Sequence, residues 1–172
     1  MRAPLHFLNA DCEVDIQSFF SEVLLIEPDN ELAELYGSIL RGIVGDVTEA
    51  ASGQEALDLI ETNLIELVVL DSALPDISAA NLLNTIHHYR PGLPILAIAD
   101  RANLEDGLHL VRDGAWDCVI KGSPDETARR LFSSIKQMAE KKLEEMQQVE
   151  LRSERQAFCV AAQTAQDGLA VI

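Results

Sequence analysis

The chain has 172 residues, 48% apolar and 24% charged, with a net charge of −16. This is globular composition, enough for one core of ordinary size plus an appendage, and it excludes a disordered chain. No apolar stretch approaches the ~20 residues that cross a bilayer, and the acidic excess lacks the clustered Lys and Arg that nucleic-acid backbones require.

Residues 1–21 show no period and contain Pro4, Asn9, Asp11 and Asp15. They read as an N-terminal extension outside the core, with a short helix near Asp15–Phe20. One positive charge and a brief apolar patch at Met1–Leu8 make a poor secretion signal, so the cytoplasm is the expected compartment. From Glu22 the pattern becomes regular. Val23–Ile26 is a short continuous apolar run, as expected of a strand covered on both faces. Asp29 then caps a helix from Asn30 to about Arg41 that buries Leu32, Leu35, Ile39 and Leu40.

A second strand near Val47–Ala51 leads to Ser52-Gly53-Gln54-Glu55, a capping box. Its helix runs to about Thr62 with Ala56, Leu57 and Ile60 inward. Strand three is Leu67–Leu70. Ser78 opens a third helix with Leu82, Leu83 and Ile86 toward the core, His87 and His88 near its end, and Pro91-Gly92 closing the unit. Ile95–Ile98, about Leu104–Arg112 and Asp117–Ile120 complete the series as strand, helix and strand. Such β-α alternation with short loops predicts a doubly wound five-stranded parallel sheet, an α/β fold with helices on both faces.

After Lys121 the character changes. Ser123-Pro124-Asp125-Glu126 combines a capping box with Pro at the first helical position, and Asp125–Arg129 and Glu126–Arg130 are favourable four-residue pairs. No Gly or Pro follows until Gly168, so a helix of about forty residues is predicted. Leu131, Phe132 and Ile135 pack its first turns on the sheet. Leu143, Met146, Val149 and Leu151 form an imperfect heptad seam, which fits a parallel coiled coil and a homodimer through this C-terminal helix. Asp167-Gly168 is a turn signal, with a strand starting at Leu169–Ile172. The divisions expected are 1–21, 22–138, 139–163 (linker helix or coiled coil) and 164–172.

The chemistry lies at the strand ends, where open parallel sheets bind ligands. Glu27 follows strand one, Asp71 strand three and Lys121 strand five. Two carboxylates and an ammonium there are expected to share one solvent-accessible hollow. Asp71 is the candidate nucleophile for phosphoryl transfer, Lys121 the phosphate contact, and Glu27 with Asp71 the candidate ligands of a hard divalent cation. Other chemistries fit less well. Gly42-Ile43-Val44-Gly45 follows a helix and not a strand, so it is misplaced for a phosphate cradle. Cys12, Cys118 and Cys159 are too scattered for a disulfide framework or a zinc site. Haloacid-dehalogenase-type phosphatases carry a second Asp two residues after the nucleophile, and Ala73 stands there.

Leu24-Leu25-Ile26-Glu27, Val68-Val69-Leu70-Asp71 with Leu74-Pro75-Asp76, Gly114-Ala115 and Val119-Ile120-Lys121 together resemble the receiver domain of bacterial two-component response regulators. The resemblance covers about residues 22–140. It implies the flavodoxin-like receiver fold and a non-enzymatic module of a phosphorelay. In that role a histidine kinase or phosphotransfer protein phosphorylates Asp71 with Mg²⁺, Lys121 contacts the phosphate, and the state passes through the C-terminal helix to an output domain. Four positions depart from the family pattern. Pro28 replaces an acidic Mg²⁺ ligand, so Mg²⁺ is expected to bind weakly or not at all. Ala99 stands where a strand-four hydroxyl is usual, Cys118 at the aromatic switch position and Gly122 at the proline after the lysine. Two alternatives stay open: a degenerate receiver that binds or dimerises without phosphorylation, and the regulatory front of a larger sensor kinase or cyclic-dinucleotide enzyme. The final residues, with their Asp-Gly turn and strand, resemble the opening of a PAS sensory domain.

Overall fold

Five strands, β1 (Glu22–Ile26), β2 (Asp46–Ala50), β3 (Leu67–Asp71), β4 (Ile95–Ala99) and β5 (Asp117–Ile120), form one parallel sheet of order β2-β1-β3-β4-β5 in the computed structural model, which describes residues 15–169. Helices α1 (Ile16–Phe19), α2 (Asn30–Arg41), α3 (Gly53–Thr62), α4 (Ala79–Tyr89), α5 (Leu104–Arg112) and α6 (Pro124–Leu169) complete the chain. A 3₁₀ turn at Arg101–Asn103 precedes α5. The expected alternation and the doubly wound sheet are therefore present. The described residues fall into two compact units that divide after Lys136.

The inner strands β1, β3 and β4 are almost wholly apolar because both of their faces are covered, whereas the edge strand β2 alternates buried and exposed positions and β5 is mostly half-buried. On one face Leu24, Ile26, Val68, Leu70, Ile95 and Ala97 join Ala56, Ile60, Leu82, Leu83, Ile86 and Leu110 from α3, α4 and α5 in one buried cluster. The alternate strand residues Val23, Leu25, Leu67, Val69, Leu96 and Ile98 are equally buried and face the other way, as period two requires.

The helix boundaries follow local chemistry. Asp29 accepts hydrogen bonds from the Glu31 and Leu32 amides at 2.9 and 3.0 Å, capping α2. In α2 the fully buried positions include Ala33, Tyr36, Ile39 and Leu40, whereas Leu32 and Leu35 are half-buried. The buried stripe is thus rotated toward Tyr36 from the expected one. At α3, Ser52 Oγ accepts from the Glu55 amide at 3.3 Å, while the Glu55 carboxylate turns back to the Ala51 amide at 2.8 Å, one residue earlier than a standard capping box. α5 ends on Gly114 at φ +118°, with the Ala115 amide donating to the Leu110 carbonyl and Gly114 to Val111. This Schellman arrangement is available cheaply only to glycine.

The leading segment differs from expectation. Ile16 and Phe20 are buried, and the Phe20 and Ser21 carbonyls accept from the Gly45 and Asp46 amides. The described part of residues 1–21 therefore belongs to the core; the remainder lies outside the described residues. The predicted Asp167-Gly168 turn does not form, because α6 continues through both residues to Leu169. A single Gly costs a helix only about 1 kcal/mol, less than this reading assumed. The strand placed at Leu169–Ile172 is contradicted at Leu169 and otherwise lies outside the described residues.

Within 124–136, Leu131 and Ile135 are fully buried and Phe132 half-buried. Arg130 pairs with Glu126 at 2.6 Å as predicted, but Arg129 bonds the Asp125 carbonyl instead of its carboxylate. In the second unit Met146, Val149, Leu151, Phe158 and Val160 are exposed. No helix among the described residues is long and apolar enough to cross a membrane.

Candidate functional site

The chain winds from β1 outward to β2, then returns past β1 to β3 and continues to β5. The order therefore reverses between β1 and β3, and side chains at their carboxyl ends flank the crevice where doubly wound sheets place ligands. Ile26 is in register with Leu70, so Glu27 and Asp71 are neighbours pointing to the same side. The Glu27 amide bonds the Ala50 carbonyl at 3.0 Å and the Lys121 amide bonds the Ala99 carbonyl at 2.9 Å. Each residue thus extends its ladder one step beyond the assigned strand.

The three predicted side chains converge. Lys121 Nζ donates to Glu27 Oε2 at 3.1 Å and makes a close ion pair with Asp71 Oδ2. The remaining oxygens are bound alike: Glu27 Oε1 accepts from the Asp29 amide at 3.1 Å, and Asp71 Oδ1 from the Ala73 amide at 2.7 Å. Asp71 Oδ2 is buried and has the ammonium as its counter-charge in place of a directed hydrogen bond. The site is not the open hollow expected. Glu27 and Asp71 are each 3% exposed, and the Lys121 ammonium that pairs with both is itself largely buried.

One ammonium serves two buried carboxylates, and the imbalance appears in the acidity of Glu27. Burial, reinforced by hydrogen bonding and repulsion from Asp71, raises the Glu27 carboxyl to about 7 against the opposing pull of the Asp29 amide and Lys121. Burial alone would lower Lys121, but Asp71 and Glu27 outweigh it and hold the ammonium above its usual value.

Two further groups border the site. Asp100, directly after β4, has Oδ2 3.9 Å from Lys121 Nζ and is about half exposed. The Tyr36 ring, from α2, lies 5.9 Å from the same ammonium, at the outer reach of a cation–π contact. Neither was picked from sequence. Asp100 had a usable signal, since it also ends an apolar run with a charge; Tyr36 had none.

The switch positions are filled by packing. A methyl group added at Gly107 would collide with Cys118 Sγ and the Ala99 side chain, so α5 lies directly against β4 and β5 at this point. Burial pushes the Cys118 thiol up to about 11, with Asp117 adding to the shift, which leaves it protonated and unreactive.

The donor set tests the fit for Mg²⁺. Glu27 and Asp71 supply hard oxygens, but both already lean on Lys121. Pro28 offers no carboxylate, and Asp29 spends one oxygen on capping α2. Among the described residues no group of three or more His, Cys, Asp or Glu is placed to hold a metal ion. These residues do not make a complete magnesium site.

Residues 23–136 match the model of the response regulator receiver domain. The chain is 30% identical over 115 residues to the probable transcriptional regulatory protein TcrX of Mycobacterium tuberculosis, covering 66% of this chain and 49% of that protein. It is 26% identical over 97 residues to the regulatory protein LuxO of Vibrio vulnificus, covering 56% of this chain and 21% of that one. Among solved structures, a putative response regulator from Chloroflexus aurantiacus superposes with a TM-score of 0.59 at 28% identity, over 67% of this chain and 97% of that one. The fold and its site define a receiver-type signalling module. The chain belongs to the response-regulator receiver-domain family of two-component systems, and its match spans about a fifth of LuxO and about half of TcrX.

Proposed function

We propose that the module accepts a phosphoryl group on Asp71 from a histidine kinase or phosphotransfer protein and passes its state along α6 to an output domain. The observation that carries this reading is the Lys121 ammonium lodged between Asp71 and Glu27 at the reversal point of the sheet. An Asp71 oxygen attacks the phosphorus of the partner's phosphohistidine. The new P–O bond forms as the P–N bond breaks, and the imidazole nitrogen keeps the electron pair. Lys121 then exchanges a carboxylate oxygen for a phosphoryl oxygen, a charge-assisted contact. In this scheme the chain is the acceptor, and no enzymatic activity of its own is assigned to it.

Mg²⁺ held by Glu27 and Asp71 is assigned a weak role, since affinity follows ligand charge and Pro28 contributes none. The receiver is taken as 22–138 and the linker helix as 139–163, working in the cytoplasm. A parallel coiled-coil homodimer through this helix is supported by the exposed Met146, Val149, Leu151 and Val160 and by the poor stability of long solitary helices.

Intact mass after incubation with acetyl phosphate, across a wide Mg²⁺ range, tests the acceptor assignment. Slow labelling that disappears in Asp71→Asn is the expected result. No added mass even at high Mg²⁺ would refute it and leave a binding module that works without phosphorylation.

A further inference from the structure

Lys121 has a neighbour relationship that the receiver pattern alone does not supply. Thr127, Arg130 and Ser134 recur on α6 at spacings of three and four, which places them on one helical face. All three reach β5 or its exit. Thr127 Oγ1 accepts from the Gly122 amide at 3.0 Å, Arg130 Nη1 donates to the Ile120 carbonyl at 2.9 Å, and Ser134 Oγ donates to Asp117 Oδ2 at 2.6 Å. The two backbone groups that bracket Lys121, the carbonyl before it and the amide after it, are therefore both held by side chains of α6.

The clamp is well built. Thr127 is fully buried, so its hydroxyl bond to Gly122 is shielded from water. Arg130 is steadied by Glu126 at 2.6 Å while its other nitrogen grips Ile120. Gly122 matters for a simple reason: a proline there would have no N–H to give Thr127. With the Lys121 amide fixed on the Ala99 carbonyl, the Lys121 backbone is pinned at three points. Its ammonium then reaches Asp71 and Glu27 from a fixed base.

We propose that Thr127 and Arg130 are positioning residues for Lys121, and that through them the charge state at Asp71 is felt in the first turns of α6. Its physiological trigger rests on the acceptor reading of Asp71, but the linkage exists whether or not Asp71 is phosphorylated. A shift of Lys121 that its side-chain torsions do not absorb strains or moves the peptide groups on either side of it. Those groups are attached to α6 and, among the side chains described here, to no other helix. The apolar packing of Ala99, Gly107 and Cys118 offers no comparable polar link to α5.

The test uses the full chain as wild type, Thr127→Val, Thr127→Ser and Arg130→Met, each with and without Asp71→Asn. Amide hydrogen exchange is followed residue by residue, and acetyl-phosphate labelling of the Asp71-containing forms is measured in parallel. Thr127→Val is expected to speed Gly122 exchange at least tenfold and to slow labelling several-fold, with exchange in β3 unchanged and Thr127→Ser restoring both. Asp71→Asn is expected to change exchange over 124–136 in the wild type and to lose most of that effect beside Thr127→Val or Arg130→Met. Unchanged Gly122 exchange, lack of rescue by Ser, or an Asp71→Asn effect equally large with the clamp removed would overturn the proposal. If wild type takes no label while the exchange linkage holds, the acceptor reading fails and the clamp stands. Labelling without any exchange linkage gives the reverse.

Discussion

Replacing Glu27 by Gln should make this protein more stable at alkaline pH, although it removes a hydrogen bond to a lysine. The reason is the shortage of positive charge in the site. Glu27 and Asp71 are both buried and share one ammonium, and burial with the neighbouring Asp71 raises the Glu27 carboxyl from 4.5 to about 7. The folded chain therefore holds this proton more tightly than the unfolded chain does. The associated stability is complete below about pH 4.5 and is lost as the pH rises through 7, for a total of about 3 kcal/mol. About 2 kcal/mol of that falls between pH 5.5 and 8, a window that stays clear of the isoelectric point near 4.4. Gln presents a neutral donor to Asp71 at every pH, so its stability lacks this slope. Urea unfolding of both proteins at pH 5.5, 6.5 and 8, with a chelator present, reads the difference from the midpoints. Glu27→Gln is expected to be the more stable by about 2 kcal/mol at pH 8, with the gap narrowing toward pH 5.5. A variant less stable than its parent at pH 8, or a gap independent of pH, would show that attraction to Lys121 outweighs burial and would refute the reasoning.

Lys121→Met removes the positive charge that pairs with both buried carboxylates and should destabilise the protein by about 3–5 kcal/mol at pH 8. The loss should shrink toward pH 5.5 as a proton takes the ammonium's place; an equal loss at both pH values would assign it to packing. Light scattering across a concentration series should give the mass of two chains for residues 1–172, and the mass of one chain once Met146 and Val149 are both changed to Asp. A single-chain mass for the parent at every concentration would remove the coiled coil.

The fold was legible because the three inner strands are buried on both faces and three of the helices carry their own start signals. Ser52, Ser78 and Asp29 cap α3, α4 and α2 at the positions their spacing predicted. Convergence of Glu27, Asp71 and Lys121 was legible for a related reason: each directly follows or ends an apolar strand, and parallel strands bring such positions to one rim. What could not be read were features set by contacts between distant segments. Burial of Ile16 and Phe20 depends on the 43–46 loop, and the inward turn of Tyr36 depends on the rotation of α2. The burial of Glu27 and Asp71 depends on packing between distant segments, which no local pattern encodes. Thr127 and Ser134 carried a faint signal in their spacing with Arg130, but polar residues in a solvated helix follow such spacing by chance too.

The departures from the receiver pattern compensate one another in space. Without a third acidic ligand, the ammonium of Lys121 is the main positive charge available to Asp71 and Glu27, so its placement must be set by the protein scaffold. Ala99 and Cys118 supply no hydroxyl or ring to sense a change at Asp71, and α5 approaches them so closely at Gly107 that even an added methyl group would collide. Gly122 meanwhile provides the amide that a proline would lack, and Thr127 and Arg130 of α6 take hold of the backbone on either side of Lys121. A receiver altered at β4 and β5 in this way keeps a polar connection from Lys121 to a helix, and that helix continues to Leu169.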